Sequence, residues 1–130
     1  MPHLDPIRYD LDMWLVIIPA CFVVLDVLSG LVKAGKEHDV DSTKMRDGLW
    51  HKGAYVIAMA LAVMIEVSMQ RMDLGFTVPL VAPCAGYIVL TEVASILENI
   101  ARISPELAKS PLLDLFRTAN KTTSTEKEGE

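Results

Sequence analysis

The stretch Met13-Trp-Leu-Val-Ile-Ile-Pro19-Ala-Cys-Phe-Val-Val-Leu-Asp26-Val-Leu-Ser-Gly30-Leu-Val32 decides how this chain must fold. It carries a single ionisable group, Asp26. As a helix rising about 1.5 Å per residue it spans roughly 30 Å, the thickness of the hydrocarbon core of a bilayer. A helix of that length in water needs a polar face, and this one has none. Leu74 to Thr91 is a second such stretch and carries no charge at all. Between them, Gly53 to Met69 is interrupted only by Glu66 and Ser68. The pattern predicts an all-α integral membrane protein with three transmembrane helices, because a helix satisfies its own backbone in lipid.

The averages conceal this. Of 130 residues 52% are hydrophobic and 22% charged, with a mean hydropathy of +0.34. Those values fall near the range of soluble domains, so the distribution of charge carries the argument. The apolar content excludes disorder for the body of the chain, and two cysteines are too few for a disulfide scaffold. Cys21 and Cys84 both lie in apolar stretches and read as free buried thiols. The net charge of −5 argues against a nucleic-acid partner. The first residues are acidic and contain two prolines, without the cationic region and small-residue cleavage site of a secretory signal. The first apolar stretch is therefore expected to stay as an anchor.

One membrane domain is expected over 1–130, divided by composition. An outer arm covers 1–12, helix 1 covers 13–32, and a basic loop covers 33–52. Helix 2 covers 53–69, a tight hairpin 70–73, and helix 3 covers 74–97, with Pro79 and Pro83 read as kinks. An amphipathic segment follows at 98–119, with turns at Ser104-Pro105 and Ser110-Pro111, and then a disordered polar tail at 120–130.

Orientation follows from the basic residues. The 33–52 loop holds Lys33, Lys36, Lys44, Arg46 and Lys52, and the C-terminal region holds Arg102, Lys109, Arg117, Lys121 and Lys127. The N-terminal arm has only Arg8 and the hairpin only Arg71. By the positive-inside rule the N-terminus faces out, and the loop and C-terminus face the cytoplasm. Three spans fit that arrangement. Trp14 and Trp50 fall where interfacial aromatics are expected.

Nothing in the sequence points to catalysis, a metal or a cofactor. His3, His38 and His51 have no ligand-like spacing, and no phosphate loop or nucleophile elbow occurs. The informative residues are carboxylates inside apolar segments: Asp26, Glu66 and Glu92. Such groups are expensive in lipid and normally face a bundle interior or water. Asp26 and Glu92 are expected at similar depth on the cytoplasmic side, where they either face the bundle interior or simply mark a frayed helix interface. Glu66 belongs toward the outer side, at an interfacial position. Ala54, Ala58, Ala62 and Glu66 recur every fourth residue and share a helix face. Ala82 with Gly86, and Gly30 with Ala34, repeat that spacing. Small residues so placed let helices approach closely in lipid, although alanine is also common filler there. Glu92, Ser95 and Asn99 form a polar stripe, read either as a helix end stabilised by local pairs, with Glu98 spaced to pair with Arg102, or as a surface that meets its counterpart on neighbouring subunits.

Several of these residues fall in blocks with a familiar pattern. Asp26-Val-Leu-Ser-Gly30-Leu-Val-Lys-Ala34 resembles the D-x-x-[ST]-G-x-x-[KR]-A pattern of a phage holin family. That family includes holins of phages of Gram-positive hosts and the related clostridial toxin-secretion holin. Ser42-Thr-Lys-Met-Arg46-Asp-Gly48-Leu-Trp-His-Lys52 is similar to its basic loop, and Glu66 stands where an acidic residue closes its second helix. Glu92-Val-Ala-Ser95-Ile-Leu-Glu98-Asn99 resembles its E-x-x-S-I-L-E-N block. Ile103-Ser104-Pro105 departs from the Gly-x-Pro-x-Pro segment that follows in the family.

The resemblance, over about Met13 to Leu107, implies a homo-oligomer in the host's inner membrane. Its partners would be the lipid bilayer and further copies of itself. It would open a lesion that releases an endolysin or other large cargo and lyses the host. Two other classes fit the apolar pattern: a small proton-coupled transporter, and a non-lytic antiholin or accessory membrane subunit.

Overall fold

In a computed structural model of the chain, residues 11–128 are described, with side chains to residue 123. The expected outer arm falls outside the described residues except for its last two positions, as do the final two residues of the tail. Every element among the described residues is a helix.

α1 (Trp14–Glu37) starts where the apolar run starts but continues through Lys33 and Lys36, which the sequence assigned to a loop. It stops at His38, in the left-handed region at φ 53°. There the N–H groups of His38 and Asp39 return to the carbonyls of Gly35 and Ala34. Only 38–41 separates it from α2 (Ser42–Arg71). The Asp41 carboxylate accepts from the Thr43 and Lys44 N–H groups at 2.8 and 3.4 Å, which fixes the start of α2. The expected loop is thus mostly two solvated helix ends. At 30 residues α2 is about 45 Å long, more than a hydrocarbon core, so its charged first turns project beyond the apolar zone.

The second connection is longer than the expected hairpin, because α3 (Val81–Ile103) begins seven residues later than Leu74. Asp73 at φ 47° and Gly75 at φ 75° turn the chain. Pro79 biases the residue before it away from helix. Pro83 sits in the first turn of α3, where its missing N–H has no intrahelical partner to lose. Neither proline interrupts a helix. Ser104-Pro105 and Ser110-Pro111 both serve as helix starts, each serine accepting from the N–H three residues on. They begin α4 (Pro105–Ala108) and α5 (Pro111–Glu128). α5 therefore includes 120–128, which the polar composition predicted to be disordered.

α3 is the central element. α1 packs along most of it, α2 packs on it less extensively, and α1 scarcely meets α2. Trp14, Leu15 and Ile18 share a groove with Ala82, Ala85 and Gly86, and Lys36 reaches the last carbonyls of α3, so α1 and α3 are parallel. The core joins Tyr55, Met59 and Ala62 of α2 to Val81, Ala85 and Ile88 of α3. Buried Leu113 docks the start of α5. Val24, Leu28, Leu31, Val56, Ile57, Leu61 and Met64 point outward and are exposed. So much outward apolar surface requires lipid around it.

Candidate functional site

All three long helices qualify as membrane spans by length and hydropathy. Within them lies one buried polar cluster. Asp26 of α1, Glu92 and Asn99 of α3 are each less than a tenth exposed. Lys52 of α2 reaches in between, its Nζ 2.8 Å from Asp26 Oδ2 and 2.6 Å from Glu92 Oε2. Asn99 Nδ2 donates to Asp26 Oδ1 at 3.2 Å and to Ser29 Oγ at 2.9 Å, and Ser29 Oγ donates to the Asp26 carbonyl. Two carboxylates share one ammonium, so the cluster is formally −1. Each charge has a partner of opposite sign, as low-dielectric surroundings demand. Lys52 is the only side-chain ion pair or hydrogen bond joining α1 to α2 among the described residues.

Asp26 and Glu92, on different helices, meet at the same ammonium of Lys52. Their counter-ion comes from the 33–52 segment, which reads as a basic loop in the sequence. The start of α2 at Ser42 puts Lys52 almost three turns into a helix and carries it inward. The signal that would have found it is the pairing of Asp41-Ser-Thr as a helix start with a lysine ten residues on. The polar stripe on α3 does not present itself to neighbours as a whole. Glu92 and Asn99 are satisfied inside the chain, Ser95 is half-buried, and Glu98 is exposed. Arg102 pairs with Glu37 of α1 at 3.6 Å rather than with Glu98.

Gly30 faces Asn99, and a Cβ built on it would lie 3.8 Å from Asn99 Nδ2. Asp26, Ser29 and Gly30 are thus the α1 surface against which Asn99 is set, so two separate sequence blocks meet in one contact. Glu66 has a different task. No side chain local to α3 caps its start, and Glu66 Oε2 instead accepts from the N–H groups of Leu80 and Val81, each at 2.9 Å. A carboxylate there also opposes the positive end of the helix dipole. At the other end, Lys36 Nζ donates to the carbonyls of Arg102 and Ile103 at 3.1 and 2.6 Å.

The alanine face of α2 is divided. Ala62 is buried in the core, whereas Ala54 and Ala58 are exposed. On α3, Ala82 is exposed and Gly86 half-buried, beside a groove of about 250 Å³ that Thr123 of α5 also lines. Cys84 is half-buried, while Cys21 is exposed on α1 rather than buried as expected, and both are free. Among the described residues no group of His, Cys, Asp or Glu is arranged to hold a metal ion.

A helical chain with three membrane-capable spans, many large apolar side chains exposed on its exterior and its buried charges held in ion pairs defines the class: a multi-pass membrane protein. The bacteriophage holin family model matches residues 9–114, and the chain belongs to that family. No curated protein and no solved structure matches it.

Proposed function

We propose that the chain acts as a phage-type holin. It would accumulate in the host's cytoplasmic membrane, self-associate, and open a lesion that passes an endolysin or other large cargo, causing lysis. The family match over residues 9–114 carries this reading. The distribution of basic residues supports an orientation with the N-terminus outside and the 38–41 turn and C-terminus in the cytoplasm.

For assembly, the proposal favours surfaces left open by the folded chain. Ala54 and Ala58 on α2, flanked by exposed Val56, Ile57 and Leu61, present small residues to an approaching helix. Glu92 and Asn99 act in this reading by holding α1, α2 and α3 in register. The test is inducible expression of the full chain without endolysin. Abrupt loss of viability and of cell potassium is expected after a delay. Silent accumulation in the membrane would favour a non-lytic regulator and overturn the proposal. Substrate-dependent proton flux in liposomes that retain a trapped dye would favour a transporter instead.

A further inference from the structure

We infer that α5 is a boundary helix at membrane depth, with one flank in lipid and the other lining a water-filled path. α5 follows the end of α3 after the short α4, yet it packs back on α3. Its Thr123 lines the groove that Ile18 and Pro19 of α1 form with Gly86 and Val89 of α3. Gly86 and Val89 belong to the first half of α3, remote from Ile103, where the chain leaves it. α5 therefore runs back along the spans. It is not one of the three helices apolar enough to cross a membrane, and from Asn120 to Glu128 it has no apolar residue at all. A polar helix at that depth is tolerated only against protein or water.

The two exposed flanks of α5 tell its surroundings apart. Buried Leu113 and half-buried Arg117 and Asn120 recur at i, i+4 and i+7 and turn toward the rest of the chain. Arg117 Nη1 donates there to the Ala108 carbonyl at 3.3 Å. At roughly 100° per residue, Leu112, Leu115, Phe116 and Ala119 fall on one side of that stripe, and Asp114, Thr118 and Lys121 on the other. Both sets are exposed. The first flank continues the outward apolar surface of the spans, so lipid covers it. The second bears a carboxylate, a hydroxyl and an ammonium, and Thr125 and Glu128 extend its register. Hydrocarbon does not solvate such a flank, and the core of a protein interface is depleted of charge, so water covers it. The inference rests on the spans for the depth of α5 and on the lesion reading for what the path does.

The test places nitroxide labels on the full chain, carrying Cys21→Ala and Cys84→Ala, in vesicles of equal parts phosphatidylglycerol and phosphatidylcholine that hold a trapped dye. Collisions with oxygen report lipid, and collisions with a water-soluble nickel chelate report water. The ratio of nickel to oxygen collisions is expected to be about tenfold higher for a label at Thr118→Cys than at Leu115→Cys. Lys121→Cys and Phe116→Cys repeat the comparison should either first variant fail to fold. Labels at Thr123→Cys and Ala82→Cys together should give one short distance, as for α5 on its groove. A long or broad distance, as for a helix lying flat on the membrane surface, would overturn the inference. So would equal nickel access on both flanks, from a helix loose in water, or equal oxygen access, from one immersed in lipid. Low access to both reagents on the polar flank would mean a partner protein and overturn it as well. Dye release reports the lesion reading separately: dye retained alongside the split ratio and the short distance would overturn the lesion and leave the wet flank standing.

Discussion

Lys52 on α2 and Glu92 on α3 are joined by a 2.6 Å ion pair in which the glutamate is 2% exposed. Removing the lysine leaves Asp26 and Glu92 facing each other without a counter-ion. Breaking a buried pair from one side destabilises by roughly 3–5 kcal/mol. Lys52→Met is therefore expected to unfold in detergent at much lower temperature, and adding Glu92→Gln should recover part of the loss. If the double variant is no more stable than the single one, the two residues are not coupled.

Glu66 caps α3 through its oxygen, which glutamine also supplies. Glu66→Gln should melt close to the unaltered chain, whereas Glu66→Ala should lose about 1–2 kcal/mol. Hydrogen exchange at the Leu80 and Val81 amides should accelerate only in the alanine variant. Equal damage from both would mean that the negative charge, not the acceptor, is what α3 requires.

The divided alanine face separates folding from assembly. Ala62 is 7% exposed, so Ala62→Leu overpacks the core at a cost of about 1–3 kcal/mol and lowers the melting temperature. Ala58 is exposed, and Ala58→Leu should leave melting unchanged while altering the onset of lysis and the pattern of cross-linked oligomers. Unaltered timing at normal membrane levels would remove α2 from the assembly surface.

Gly30 has room for one methyl group. The 3.8 Å separation from Asn99 Nδ2 is ordinary van der Waals contact, and alanine is the better helix former by about 0.5–1 kcal/mol. Gly30→Ala should be neutral or stabilising in thermal unfolding. Gly30→Leu should push α3 away, break the hydrogen bonds of Asn99 to Asp26 and Ser29, and lower the melting temperature sharply.

Hydrophobic length made the three spans legible from residue order, because an apolar run of that length with so few charges has one stable environment. The same reasoning misjudged their ends. Charged residues at Lys33, Lys36 and Lys44 read as a loop, yet helices that project from a membrane carry such residues without breaking. Leu74 to Leu80 read as helix because it is apolar, whereas Gly75 and Pro79 govern its backbone. Tail residues 120–128 read as disordered from polarity, but they extend a helix already started at Ser110-Pro111 and anchored by Leu113.

By itself the sequence determined that the chain is helical, lies in a membrane and keeps a few acids among apolar residues, since these follow from composition along one dimension. Only the tertiary structure decided what those acids do. Glu66 became a cap for another helix, and Asp26 and Glu92 became partners of a lysine twenty-six and forty positions away. The reason is physical: in an apolar interior a charge is tolerable only beside its opposite, and which opposite comes within 3 Å depends on how helices pack.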